Sequence, residues 1–229
     1  QELAKQFGCR DLAAFGVDGL PLAVAAAGAL LDYVRQTQKS ALPHLQGLTV
    51  ERDDAYVRLD AASRRNLELT ETLRGEASPT LLSAIDTTVT AMGARLLRHW
   101  LHHPLRDRRA LSQRVEAIRA LSADAGLRAE LTELLKACAD LERIAGRCAL
   151  KSARPRDLSA LRDTLALLPG LQGRLGLDSP ALETIRQALT PLPQLQDLLT
   201  RAIRQEPAAV LREGGVIAEK FDAELDELR

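Results

Sequence analysis

Three histidines, His99, His102 and His103, lie in one short segment and could take part in metal chemistry. If the segment is helical, His99 and His103 share a face because they are four residues apart, and two imidazoles so placed can ligate a metal. A zinc site needs a third protein ligand, and the nearest carboxylate, Asp107, lies beyond a helix-ending proline. The pattern therefore favours surface imidazoles that flank a buried Trp100 over a metal centre.

Arginines dominate the segment from residue 95 to residue 119, where only Asp107 and Glu116 oppose them. The arginines are Arg95, Arg98, Arg106, Arg108, Arg109, Arg114 and Arg119. Such a run can neutralise phosphates of a nucleic acid, and the first five are the candidate phosphate contacts. Aromatic residues make up only 3% of the chain, which leaves no stacking platform for single-stranded nucleic acid. The favoured interpretation is a solvated helix face, or pairing with acidic surface elsewhere.

Motifs for catalysis are missing from the 229 residues. There is no Gly-Lys-Ser/Thr phosphate loop, no Gly-x-Ser-x-Gly, no His-Glu-x-x-His and no Gly-x-Gly-x-x-Gly. The paired carboxylates Asp53 and Asp54 suit a polar turn better than acid–base catalysis. Three cysteines, Cys9, Cys138 and Cys148, form no C-x-x-C motif, which favours a reduced setting with the last two as inert core residues.

Composition sets the fold class. Hydrophobic residues, mostly Leu and Ala, make up 46% of the chain, enough for a core and suited to helices. Lys and Arg number 31 and Asp and Glu number 31, so the formal net charge of zero excludes an overall cationic sleeve for DNA. The longest apolar run, residues 20–31, contains Pro21 and falls short of the ~20 residues needed to span a bilayer.

Hydrophobic periodicity predicts a mainly α protein: a multi-helix bundle with one short β-hairpin over 48–59 and a short strand at Val216-Ile217. Helices are predicted at 22–38, 91–102, from 107, at 127–137, after 140, from 157, at 180–189, at 194–204 and after 218. Each predicted helix presents apolar residues at intervals of three and four.

Local signals predict where helices begin, end and face inward. Ser78 before a proline, Thr90, Asp107 and Asp140 are predicted N-caps, and Pro169 with Gly170 is a predicted helix end. The inward side of the helix after 107 is predicted to carry Leu111, Val115, Ile118 and Leu121. The inward side of the helix from 157 is predicted to carry Leu158, Leu161, Leu165 and Leu168, a spacing similar to a coiled-coil seam.

Several strings, taken together and in order, resemble signatures of the MutS family of DNA mismatch repair proteins. The strings are Phe7 to Leu12, Leu59 to Leu69, Leu81 to Asp86, Thr90 to Leu97, Trp100-Leu101 with Pro104 to Asp107, Asp140 to Arg143, Arg154 to Leu158, Gly214 to Ile217 and Glu224 to Arg229. They cover nearly the whole chain.

The resemblance implies a place within a bacterial MutS-like protein. Residues 1–42 correspond to the end of the connector domain, and residues 43–229 to the first segment of the core, or lever, domain, ending in a truncated lever helix. Because the chain begins at Gln1 and not at Met, we expect a piece of something longer. The structural signature residues are Arg65, Asn66, Glu68, Trp100, Pro104, Arg143 and Asp157.

The resemblance also implies function. The full-length protein is expected to bind mismatched double-stranded DNA, ATP and Mg2+, and to interact with a MutL-like partner. It is also expected to form a homodimer and to act in the bacterial cytoplasm, with no membrane among its partners. This segment is expected to be monomeric, to bind no cofactor and to hydrolyse nothing, because it lacks a phosphate loop and any Phe-x-Glu mismatch probe. Its expected role is to couple the ATPase domain to the DNA-binding domains.

Two other functions stay open on the residues alone. The chain could be a self-sufficient helical adaptor that presents its leucine seam to partner helices, or a weak non-specific DNA-binding module that uses Arg95 to Arg119. The ordered family strings argue against the adaptor, and the zero net charge argues against the DNA-binding module.

Overall fold

The computed structural model describes residues 2–38, 42–51, 53–176 and 179–228. It divides into two compact units, Gln1–Asp53 and Asp54–Arg229. Helices dominate both units, and the only β pairing within the described residues consists of two isolated bridges. The prediction of a mainly α protein is confirmed. The predicted boundary between connector and core at residue 42 stays a prediction, because compactness alone does not define a family's domain border.

The first unit is built on two helices, α1 (Glu2–Gln6) and α2 (Pro21–Gln38). Leu3, Leu31 and Leu42 are buried at its centre. The partly buried residues packed against them are Phe7, Leu12, Val24, Ala27, Val34 and Leu48. The side of α2 that carries Val24, Ala27, Leu31 and Val34 therefore faces this centre.

The second unit starts with three helices: α3 (Ala61–Asn66), α4 (Leu81–Ile85) and α5 (Ala91–His102). Each begins at a side-chain cap that satisfies a backbone N–H which the helix itself leaves unpaired. Asp60 caps α3, and Thr90 caps α5 as predicted. The cap of α4 is Thr80, which exchanges hydrogen bonds with Ser83, so the predicted cap at Ser78 is wrong.

The predicted hairpin over 48–59 is wrong. Asp53–Ala55 forms a single 3-10 turn, and Tyr56 pairs in an isolated antiparallel bridge with Leu105. The Val57 N–H donates to the Pro104 carbonyl oxygen at 2.8 Å. The segment finds its backbone partner beyond α5, because the alternating pattern specifies an extended chain and not which strand it pairs with. Arg52, within the predicted hairpin, lies outside the described residues.

The body of the second unit is a run of six helices. They are α6 (Arg108–Ala123), α7 (Ala125–Lys136), α8 (Leu141–Ala149), α9 (Pro155–Arg174), α10 (Pro180–Ala188) and α11 (Pro193–Ala202). Asp107 caps α6 and Asp140 caps α8, as predicted. The long helix α9 contacts α7, α8, α10 and α11, so it is the central element of this body.

Two hydrophobic clusters lie along α9. The first has a buried centre of Ala117, Leu131, Leu171, Leu175 and Leu182. The second has a buried centre of Leu165, Leu199, Ala202, Ile203 and Val216. Leu168 packs against both, and Leu158 and Leu161 pack against the second. The predicted inward side of α9 is confirmed.

Three details of the helical body differ from prediction. On α6 the buried residue is Ala117, and of the four predicted inward residues only Leu121 packs against a cluster, while Leu111, Val115 and Ile118 are exposed. Pro169 does not end α9, which continues to Arg174 because Leu171 and Leu175 are buried beyond the proline. Cys148 is exposed, so it does not belong to the buried side of α8.

The C-terminal end of the second unit pairs back onto α11. Gly214 and Gly215 both have positive φ, which glycine adopts without the penalty of a Cβ atom. The turn brings Ile217 into an antiparallel bridge with Ile203, so the predicted strand is reduced to one bridge. A short helix, α12 (Ala223–Glu227), follows; Arg229 lies outside the described residues.

Thr164 is the most deeply buried polar residue of α9, with 1% of its surface exposed. Its Oγ1 donates to the Ala160 carbonyl oxygen at 2.8 Å and accepts from the Ala139 N–H at 2.9 Å. The second bond ties the turn between α7 and α8 to α9. Because a buried N–H without an acceptor is costly, this hydroxyl is a structural requirement.

We predict that Thr164→Val lowers the free energy of unfolding by about 1–3 kcal/mol, because the substitution keeps the shape and leaves the Ala139 N–H without its acceptor. Urea unfolding followed by circular dichroism measures the change. The control is Thr200→Val, which removes an exposed hydroxyl that bonds only within α11. Equal losses in the two variants would contradict the requirement.

Candidate functional site

Arg95 is held by acidic side chains of another helix. From α5 it donates two hydrogen bonds to Asp140, at 2.9 and 2.7 Å, and it also pairs with Glu142 at the start of α8. Bidentate pairs of this kind fix geometry as well as adding energy. Arg95, predicted as a phosphate contact, is therefore already occupied by carboxylates in this structure, where it joins α5 to α8.

Asp140 has three functions at this joint. It accepts from Arg95, it caps α8 through the Arg143 N–H at 3.3 Å, and it lies 3.4 Å from the Arg143 guanidinium. The Arg95 hydrogen bonds lower the pKa of Asp140 from 3.8 to about 2, against the opposing effect of desolvation. The same carboxylates raise the pKa of Arg95 above its ordinary value.

The other predicted phosphate contacts lie on α5, on α6 and in the segment between them. Arg98, on α5, is exposed, and the Arg106 N–H donates to the Ala55 carbonyl oxygen at 3.0 Å. Arg108 and Arg109 are exposed in the first turn of α6. Their contact with phosphate stays a prediction.

The three histidines are divided between two environments. The rings of His99 and His103 stack with their centroids 4.4 Å apart, and Tyr56 meets the His103 ring edge-on at 5.6 Å. His102 shares a hydrogen bond of 3.1 Å with the Thr70 hydroxyl, and burial lowers the pKa of His102. The Nδ1 atom of His103 lies 3.1 Å from the His99 carbonyl oxygen. No group of three or more potential metal ligands exists among the described residues.

The signature residues Arg65, Asn66 and Glu68 lie at the end of α3 and in the loop that follows. The Arg65 guanidinium donates to the Leu73 carbonyl oxygen at 3.4 Å, and the Glu68 carboxylate accepts from the Leu73 N–H at 2.7 Å. Glu68 adopts φ +44°, a left-handed conformation that the Leu73 contact helps to hold. Asn66 is exposed as the last residue of α3. This part of the signature closes the loop that leads to α4.

Two more signature residues hold chain turns. The Pro104 carbonyl oxygen accepts from the Val57 N–H. Asp157 accepts from the Arg147 guanidinium at 2.7 Å and from the Arg154 N–H at 2.9 Å, so it joins α8 to the start of α9. At the start of α9, the negative charge of Asp157 also suits the positive end of the helix dipole.

Trp100 is not buried, contrary to the prediction. It keeps 37% of its surface exposed, and the Arg114 guanidinium of α6 lies 3.8 Å from the ring centroid. This cation–π contact joins α5 to α6. Replacing a buried tryptophan with alanine lowers the free energy of unfolding by about 3–5 kcal/mol. Because the Trp100 ring is partly exposed, we expect Trp100→Ala to lower it by less.

Arg162 is a functional candidate that the sequence patterns did not identify. Only 8% of its surface is exposed, and it lies on α9 beside the leucines that face the second cluster. Its guanidinium donates to three successive carbonyl oxygens after α11 and pairs with the neighbouring Asp163 at 2.8 Å. The acceptors are Ile203 at 3.3 Å, Arg204 at 3.2 Å and Gln205 at 3.3 Å. An arginine next to a leucine seam is the signal that could have identified it.

Comparison with protein families decides the assignment. A family model described as MutS domain III matches residues 62–229, and one described as MutS domain II matches residues 1–46. The chain belongs to the MutS family. Both matches agree with the resemblance found in the strings, in which the N-terminal part corresponds to the connector domain and the rest to the core. In this MutS-family chain, the signature residues serve as joints between helices and loops.

This MutS-family chain has three cysteines. All three are free, and burial raises the pKa of Cys138, so that less of this thiol is ionised to the reactive thiolate. Within the described residues, no helix is both long enough and apolar enough to cross a membrane.

We predict that the Arg95–Asp140 joint makes stability depend on pH in the acid range. Because the folded pKa of Asp140 is below 3.8, its stabilisation is present in full above that value and is lost as the pH falls through about 2. Asp140→Asn keeps a capping side chain and removes the charge. The difference in unfolding free energy between wild type and Asp140→Asn should therefore be largest near neutral pH and shrink steadily as the pH falls from about 4 through about 2.

Urea unfolding of both proteins across this range measures that difference. The control is Asp197→Asn, which removes an exposed carboxylate paired with Arg201 within α11. If the effect of Asp140→Asn stayed constant down to pH 2, the ion pair would not be its cause.

Proposed function

We propose that this chain is the mechanical core of a MutS-like DNA mismatch repair protein. It carries displacement between an ATPase domain and the domains that grip mismatched DNA, and it contributes no catalysis. The full-length protein is then a DNA-dependent ATPase with a MutL-like partner. The family match over residues 62–229 supports the proposal that the chain belongs to a mismatch repair protein. The polar contacts between helices support the proposal that it transmits displacement.

The observation that carries the proposal is the cross-linking of α9 to its neighbours. Arg147 and Asp157 tie α8 to its first turn, Arg174 and Glu130 tie its last turn to α7 at 2.7 Å, and Arg162 ties its middle to the chain after α11. Apolar clusters fill the space between these polar joints. Movement of one neighbouring helix therefore has to move α9.

Close packing makes such a body suitable for transmission. Packed interiors resist compression and pass on strain instead of absorbing it. Coupling between two distant sites requires an element whose arrangement both ligands bias. A body joined at both ends of α9 meets this requirement better than a set of helices linked only by flexible loops.

ATP and Mg2+ do not fit any segment of this chain. A nucleotide site of this family type needs a phosphate loop, and the 229 residues contain no Gly-Lys-Ser/Thr. We therefore assign no step of nucleotide chemistry to these residues.

Direct DNA binding by Arg95 to Arg119 is the weaker candidate. Arg95 is paired with Asp140, and Arg114 covers the ring of Trp100. The remaining arginines alternate with exposed apolar residues, which do not suit a phosphate backbone. A salt titration distinguishes the two functions, because each neutralised phosphate steepens the salt dependence of binding.

We predict negligible binding of a short mismatched duplex by the 229-residue chain at physiological salt. Fluorescence anisotropy of a labelled duplex, from low to high salt, measures it. A steep salt slope, lost in a variant with Arg108 and Arg109 changed to alanine, would instead identify a DNA-binding module.

We also predict that Arg162→Met, in the complete MutS-family protein that contains this segment, reduces the stimulation of ATP turnover by mismatched DNA by about 5-fold or more, the lower range of allosteric coupling. Turnover without DNA should stay unchanged, because the joint lies in the core segment. The control is Arg201→Met, which breaks an exposed pair inside α11. Intact stimulation in a folded Arg162→Met protein would refute transmission through α9.

A further inference from the structure

The loop between α3 and α4, residues 67–80, is joined to α5 through a histidine. The His102 Nε2 atom lies 3.1 Å from the Thr70 Oγ1 atom, at hydrogen-bond distance. Thr70 is buried, with 9% of its surface exposed, and His102 is partly buried at the end of α5. Because both side chains are withdrawn from water, this bond fixes one point of the loop on α5.

Two backbone hydrogen bonds flank Thr70 and report whether the loop is in place. The Thr72 N–H donates to the Glu76 carbonyl oxygen at 2.8 Å and closes a turn of the loop. The Leu82 N–H, in α4, donates to the Leu69 carbonyl oxygen at 2.9 Å. If Thr70 left its place on α5, these N–H groups would exchange more readily with water.

Positive charge predominates around the His102 ring. The groups that act on it are Arg64 on α3, Arg98 on α5, His103 at the end of α5 and Glu71 in the loop. Among these, Glu71 alone favours a protonated ring, and it is exposed. Within the described residues, the Arg64 Nε atom is buried without a hydrogen-bond partner. A new cation at His102 would therefore lie beside a guanidinium that is itself incompletely hydrogen-bonded.

We propose that the His102–Thr70 hydrogen bond is a pH-sensitive latch, which holds the loop 67–80 on α5 while the imidazole is neutral and releases it when the imidazole takes up a proton. The protonated ring is a cation that has lost part of its hydration and lies near two guanidinium groups. Its Nε2–H still has the Thr70 oxygen as an acceptor, so repulsion and lost hydration drive the release. The latch goes beyond the transmitting role of α9 and does not depend on it.

The direction of the pKa change sets the pH range of the latch. Burial, followed by the charges of Arg64 and Arg98, lowers the pKa of His102 below its ordinary value of 6.5. The folded state therefore favours the neutral ring. Its stabilisation is present in full above pH 6.5 and is lost as the pH falls below that value.

Amide hydrogen exchange of the 229-residue chain measures the latch directly. After correction for the intrinsic exchange rate at each pH, the protection of the Thr72 and Leu82 N–H groups should fall several-fold from about pH 7.5 to about pH 5.5. The Ala139 N–H, which donates to Thr164 in the helical body, is the internal reference. Its protection should not change over the same range.

Two variants separate the proton from the hydrogen bond. His102→Gln should abolish the pH dependence, because a glutamine amide can still bond to the Thr70 hydroxyl and takes up no proton. Thr70→Val should leave the loop poorly protected at both pH values. The matched control is His44→Gln, which changes an exposed histidine and should behave as wild type. Thermal melts at neutral pH confirm that each variant is folded.

Four results would overturn the proposal. The first is protection of Thr72 and Leu82 that is the same at both pH values in the wild type. The second is a loss that persists in His102→Gln, and the third is an equal loss at Ala139, which would show that the whole body loosens. The fourth is a pH dependence abolished by His103→Gln but not by His102→Gln, which would assign it to the stacked histidine pair.

Discussion

Arg162 and Thr164 impose the constraint on which the helical body depends. Both lie on α9 with almost no exposed surface, and a buried guanidinium or hydroxyl is tolerated only if its hydrogen bonds are satisfied. Their partners outside α9 belong to chain segments 25 to 43 residues away. The turn before α8 and the chain after α11 must therefore both meet α9 in one defined register, which apolar packing alone would not fix.

Arginine in this chain serves mainly as a link between elements. Arg95, Arg147, Arg162 and Arg174 each join two elements through carboxylates or carbonyl oxygens. Several of these pairs are exposed enough that each adds little stability. Their consequence is geometric, since a planar guanidinium with two or more acceptors fixes an orientation. A neutral chain rich in arginine is therefore compatible with a role inside a DNA repair protein without direct contact to DNA.

Local signals in the sequence predicted local structure well. Thr90, Asp107 and Asp140 cap helices as expected, because a cap depends on the few residues that follow it. Signals whose outcome depends on distant partners failed. Tyr56, in the predicted hairpin, forms its bridge with Leu105. Pro169 is carried inside α9, at a cost typical of a helix interior, because Leu165 and Leu171 are buried on either side of it. The Arg162 joint was missed for the same reason, since its acceptors are backbone atoms that leave no mark on the sequence.

The error on α6 concerns which side of the helix is buried. Periodicity selected the side with the largest apolar residues, whereas the core is lined by Ala117, Ala120 and, as predicted, Leu121; the two small alanines let α6 approach α7 and α10 closely. A helix that buries alanines and exposes Val115 and Ile118 is stable without covering its larger apolar side. Those residues therefore contribute little to this fold.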